Sequence, residues 1–154
     1  MFYDDLSLQI ASLAEEDPFY VPLMANVAAL LFESMHGLNW AGFYIVEQDK
    51  LVLGPFQGKV ACIHIPVGKG VCGTAVMNSE TKCVPNVHEF EGHIACDSAS
   101  NSEIVIPILQ DSKCIAVLDL DSTEYNRFSD VDQIGLQKVV RTIENVIRFT
   151  REPV

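Results

Sequence analysis

The stretch GHIACDSASNSEIVIPI, residues 92–108, sets Cys96 between an apolar tripeptide and a run of small polar residues. Such a thiol is either an ordinary loop residue or a nucleophile. Nucleophilic sulfur must reach the thiolate form, be exposed and, for redox work, have a second thiol within reach. Four other cysteines stand at 62, 72, 83 and 114. Cys62 lies in VACIHIP, which alternates like a strand over 60–66 and puts Cys62 on the side of Val60, His64 and Pro66. Cys72 follows the Gly68–Gly70 turn near the start of a short helix, where free N–H groups would favour its thiolate. Cys83 and Cys114 sit in short apolar strands and read as core, because a lone strand cysteine usually behaves as a small hydrophobe.

Carboxylates supply the second group. Asp119 and Asp121 in VLDLDST point to one side of a strand, with Leu118 and Leu120 on the other. Glu103 opens the neighbouring strand of the same hairpin. Such a set can hold an ammonium or share a proton by mutual repulsion; it can equally be a solvated strand end. Trp40 and Tyr44, four apart, share a strand face as a pocket wall or as core. His64, His88 and His93 could be bases, or be solvated and satisfied by hydrogen bonds.

Other chemistries find little support. The five cysteines are spaced by 10, 11, 13 and 18 residues with no CxxC pair, poor for a compact zinc knuckle, and no metal or other cofactor is expected. Their odd number argues against a secreted disulfide framework. VGKGVCG lacks the GxxxxGK followed by Ser or Thr of a phosphate loop. Net charge is −11 with only ten Lys and Arg, which speaks against nucleic acid and anionic membranes as partners. No apolar run of 18 residues suggests a membrane span, and MFYDDLSLQI does not resemble a signal peptide, so the cytoplasm is expected. The length of 154 residues fits one domain, 1–154.

These residues must be positioned by a small set of elements. An imperfect helix is predicted over 5–16, then a second capped by Asp17 with Pro18 at its first position and stopped at Gly37. WAGFYIVEQDKLVLGPF reads as a β-hairpin, followed by the strand over 60–66 and a short helix over 71–78. TKCVP is a strand, and Pro85–Ser102 an irregular stretch of a length usually reserved for function. EIVIPIL and KCIAVLDLDS form a hairpin. The last helix starts at Ser129 with Asp132 in the capping-box position. The order predicts an α/β domain of α+β type: an antiparallel sheet with terminal helices on one face and loops around a pocket on the other.

NWAGFY, GKGVCGTA, GHIACDSASNSEIVIPI and AVLDLDS together resemble the free methionine-(R)-sulfoxide reductases, single GAF-domain enzymes, over roughly residues 13–146. The resemblance implies reduction of the R epimer of free methionine sulfoxide, recycling by thioredoxin-type dithiols, no metal and a homodimer. It implies Cys96 as nucleophile, Cys62 as principal resolving cysteine forming a disulfide with it, and Cys72 as an auxiliary redox cysteine. Trp40 and Tyr44 match pocket aromatics, and Glu103, Asp119 and Asp121 match acidic pocket residues that would protonate the sulfoxide oxygen and hold the substrate ammonium. Two alternatives stay open: a GAF-type module that only senses a small ligand, and a thiol peroxidase using the same cysteines.

Overall fold

A computed structural model describes residues 1–151. Six strands form one antiparallel sheet in the order β3-β2-β1-β6-β5-β4. They are β1 Leu38–Glu47, β2 Lys50–Gly58, β3 His64–Pro66, β4 Lys82–Val84, β5 Ser102–Gln110 and β6 Lys113–Ser122. Three helices, α1 Phe2–Glu16, α2 Tyr20–Ser34 and α4 Asp130–Val146, pack with one sheet face. The short α3, Gly70–Asn78, lies on the other.

Side-chain period explains the helical layer. In α1, Leu6, Ile10 and Ala14 recur every fourth residue and are buried. Helix α4 buries Leu136, Val139, Val140 and Ile143. A Cβ at Gly135 would lie 2.0 Å from the Tyr3 ring, so its absence lets α1 seat directly on α4. The capping box forms as expected: Ser129 Oγ accepts the Asp132 N–H, and Asp132 accepts the Ser129 N–H at 2.9 Å.

Four expectations shift. Helix α2 ends at Ser34 with Met35 extended, and Gly37, at φ +82°, sits in the turn that follows rather than stopping the helix. Helix α1 begins at Phe2 rather than near Asp5. Helix α2 begins at Tyr20, because Arg148 N–H donates to Pro18 O and Tyr20 N–H to Arg148 O, holding Pro18 and Phe19 extended against the chain after α4. Asp17 still serves there by accepting the Phe19 N–H at 3.0 Å. The strand expected over 60–66 is only His64–Pro66. The Lys59 and Cys62 carbonyls are taken by Trp40 Nε1 and the Tyr44 hydroxyl, and Val60 and Ile63 stand exposed.

Register then separates two cores. Ala41, Phe43, Ile104, Ile106, Leu118 and Leu120 face the helices. Trp40, Tyr44, Val105 and Val117 face α3 and the loops, with Leu51, Ile65, Val71 and Val87.

Candidate active site

Asp121 pairs across the sheet with Trp40 on β1 and Glu103 on β5, while Asp119 pairs with Gly42 and Val105. The alternation that sends Leu118 and Leu120 into the helical core therefore sends both aspartates to the α3 side, beside Glu103. Glu103 and Asp119 are only 7% and 5% exposed, although neither has a cationic partner among the described residues. No backbone or hydroxyl donor reaches Asp119 Oδ1 among the described residues. Burial, then the charges of Asp119 and Asp121, pushes the Glu103 carboxyl well above the usual carboxylate range. Asp121 is pushed up by burial and Asp119. Asp119 is also raised by burial, but bonds from Glu103 and Cys72 counter that rise. Within the cluster, charge is therefore favoured on Asp119, and Glu103 is pushed toward its protonated form.

Cys72 joins this cluster from the first turn of α3, 4% exposed. Burial and then the charges of Asp119, Glu103 and Asp121 push its thiol well above its ordinary value. The expectation of a thiolate favoured by the helix start is therefore corrected. The half-charge of a helix terminus is outweighed by desolvation and carboxylates. One donor atom each from Cys72, Glu103 and Asp119 lies within 4.8 Å of the others. That spacing suits a single cation, whether an ammonium or a metal ion.

Aromatic rings wall the cavity. Trp40 stacks on Tyr44 at 5.9 Å and on Phe56 at 5.2 Å between centroids. Gly42 makes this geometry accessible, because a Cβ there would meet the Trp40 ring at 2.7 Å and Phe56 Cβ at 2.3 Å. Trp40 Nε1 donates to Lys59 O at 3.2 Å, and the Tyr44 hydroxyl to Cys62 O at 2.9 Å. The rings thus also clamp the segment that carries Cys62. Burial, with Asp119 as the next cause, pushes the Tyr44 phenol up, so it stays a donor.

Cys96 lines the same cavity, with Ala61, His93, Ile94 and Ser100. It is joined to Cys62 by a disulfide with Cα atoms 5.5 Å apart, within the ordinary range. Cys72, Cys83 and Cys114 are free. Cys83 donates to Phe128 O and Cys114 to Ala116 O, away from the cavity. The loop is pinned at both ends. Val87 N–H donates to Asn101 O, and Asn101 N–H to Ser122 O. Asn39 Nδ2 donates to Asp97 Oδ2 at 2.9 Å and to Ser100 Oγ at 3.0 Å.

The GAF domain family matches residues 22–147. The free methionine-R-sulfoxide reductase of Escherichia coli is 50% identical over 97% of this chain and 90% of its own. The enzyme of the same name from Saccharomyces cerevisiae is 43% identical over 95% of this chain and 86% of its own. The chain belongs to the GAF-domain free methionine-R-sulfoxide reductases. A solved structure of the Staphylococcus aureus fRMsr in complex with substrate superposes with a TM-score of 0.89 at 49% identity, covering 95% of each chain.

In this reductase family member the structure brings together eight of the residues singled out in the sequence: Cys96, Cys62, Cys72, Glu103, Asp119, Asp121, Trp40 and Tyr44. Sequence reasoning missed Asn39, Gly42, Phe56 and Ser100. Only Gly42 carried a signal, since glycine inside a strand marks a close approach. Of the histidines, His93 reaches the cavity wall, and burial followed by His88 lowers its pKa. His88 instead bonds Asn101 Oδ1 at 2.8 Å, and His64 is exposed on β3.

Proposed function

We propose that the chain reduces free methionine (R)-sulfoxide with Cys96 as nucleophile and Cys62 as resolving thiol. One observation carries this reading: Cys96, already bonded to Cys62, lines the same cavity as a buried carboxyl cluster whose Glu103 is pushed toward its protonated form. Reduced Cys96 attacks the sulfoxide sulfur as a thiolate. Glu103 gives its proton to the sulfoxide oxygen, which would otherwise be a poor leaving group. The protonated oxygen leaves the substrate sulfur as hydroxide and attacks Cys96 Sγ, and methionine departs with the electron pair of the broken sulfur–sulfur bond, leaving Cys96 as sulfenic acid. The Cys62 thiol displaces that oxygen as water and closes the disulfide. Two thiols of a thioredoxin-type dithiol then reopen it and become a disulfide themselves.

Ionised Asp119, supported by Asp121, holds the substrate ammonium, and Trp40 packs on the methyl and methylenes. A buried site for a free ammonium excludes peptide-bound methionine sulfoxide, whose nitrogen is an uncharged amide. Cys72, as a neutral thiol donating toward Asp119, is auxiliary. The reading includes residues 1–154 acting as one GAF domain, in a homodimer, in a reducing cytoplasm where three further cysteines stay free. Among the described residues no helix is long and apolar enough to cross a membrane.

The deciding experiment incubates the reduced protein with each epimer of free methionine sulfoxide and measures methionine. Release from the R epimer alone, matched by disulfide formation, is expected. No release from either epimer would overturn the assignment.

A further inference from the structure

The two bonded cysteines meet the cavity differently. Cys96 lines it, whereas Cys62, half-buried, does not, although its neighbours Val60 and Ala61 do. Beside Cys62 the chain turns outward: Val60 is 88% exposed and Ile63 62%. Isolated exposed aliphatics are ordinary, but these two flank a redox sulfur.

The charge around them is also unusual for this protein. From Lys50 to Ser79 there is no Asp or Glu, although the chain has 21 of them, and three of its ten basic residues, Lys50, Lys59 and Lys69, fall there. Lys59 and His64, close to Cys62 in the chain, are exposed, as is Lys69 at the start of α3. The Cys96 side is the opposite: its loop carries Glu89, Glu91 and Asp97, and the cavity behind it holds Glu103, Asp119 and Asp121. A negatively charged protein is therefore repelled from the Cys96 side and attracted to the Cys62 side.

We propose that the β2–β3 rim around Cys62, with apolar Val60 and Ile63 between Lys59, His64 and Lys69, is the docking surface for an acidic dithiol protein that reduces the Cys62–Cys96 bond by attack at the Cys62 sulfur. The proposal rests on the reductase reading for its biological use. A partner thiolate bonds to Cys62 Sγ, and the electron pair of the broken bond leaves on Cys96 Sγ as a thiolate. The partner's second thiol then displaces Cys62 from the mixed disulfide. Substrate oxidises Cys96 in the cavity, and the reductant attacks Cys62 at the rim, where Val60 borders both.

The test uses thioredoxin as the acidic dithiol and dithiothreitol as a reductant that needs no docking. Lys59→Glu/Lys69→Glu and Ile63→Asp leave the cavity untouched. The thioredoxin concentration giving half-maximal turnover should rise about tenfold in the lysine double variant, and less as salt is added. Turnover with dithiothreitol should be unchanged in both variants. Equal losses with both reductants, or an unchanged thioredoxin dependence, would overturn the proposal. So would a fall in molar mass of Ile63→Asp by light scattering, which would make this face a contact between copies of the chain.

The attacked sulfur is read separately. Thioredoxin lacking its second active-site cysteine is mixed with the oxidised protein and the freed thiol is alkylated. Thioredoxin on Cys62 with the alkyl group on Cys96 is expected, and the reverse pattern would overturn the proposal. If the wild type released no methionine with dithiothreitol, the reductase reading would fail alone. Rates of disulfide opening by thioredoxin, measured by alkylation in the same variants, would still decide the docking surface.

Discussion

Leu118 and Leu120 on β6 are fully buried against the helices. Their alternate neighbours, Asp119 and Asp121, are pressed into the other face without a cation. The same strand thus builds a stabilising surface on one side and a costly one on the other. Burying a leucine side chain contributes about 1.5–3 kcal/mol. A carboxyl taken from water without a counter-charge escapes its penalty by keeping a proton. The helical face therefore supplies the stability that lets the pocket face hold its buried carboxyl cluster.

The sharpest break in this comparison comes at the sulfur. Cys96→Ser should lower methionine release to background while calorimetry still detects binding of the R epimer; loss of binding as well would place Cys96 in a structural role. Next is Glu103→Gln, which removes the proton donor. Its kcat/KM should fall about 100-fold or more.

The same variant reports on the buried cluster. The Glu103 carboxyl, raised above 4.5 in the folded protein, makes the native state bind more protons than the unfolded one. Its stabilising contribution is complete below that value and is lost as pH rises toward the folded pKa. Glu103→Gln should therefore melt above the wild type at pH 8, with the gap closing as pH falls toward 4.5. A variant less stable than the wild type at pH 8 would contradict the protonated cluster.

On the helical side, Leu118→Ala should cost about 2–5 kcal/mol of unfolding free energy and leave turnover per folded molecule near wild type. A matching collapse of kcat would mean that the two faces are not separable. Ser129→Ala, which removes the α4 cap, is the mildest test: about 1 kcal/mol by denaturant titration, with no change in kinetics.

The legibility of the chain follows the range of the interactions involved. Period-2 alternation in VLDLDS and period-3.6 recurrence in α4 are local, so both the strands and the partition of Leu118 from Asp119 could be read directly. The Ser129–Asp132 capping box spans only three residues and formed as expected. The α2 start was misjudged because Arg148, far away in sequence, bonds on either side of Phe19. Val60–Ile63 alternates like a strand. It is drawn off the sheet by donors from Trp40 and Tyr44 and by the bond to Cys96.

By itself the sequence determined the residue types available for chemistry, the faces on which strands present them and the family resemblance that grouped them. Tertiary structure decided their protonation and access. Cys72 stands at a helix start, where local physics favours a thiolate. Packing against Asp119 and Glu103 makes it a neutral thiol instead. Cys62 and Cys96 are 34 residues apart, and only the folded sheet brings their Cα atoms to 5.5 Å, with Cys96 in the cavity lining. Desolvation and through-space charge depend on which atoms surround a group in three dimensions, and no local stretch of the chain encodes that surrounding.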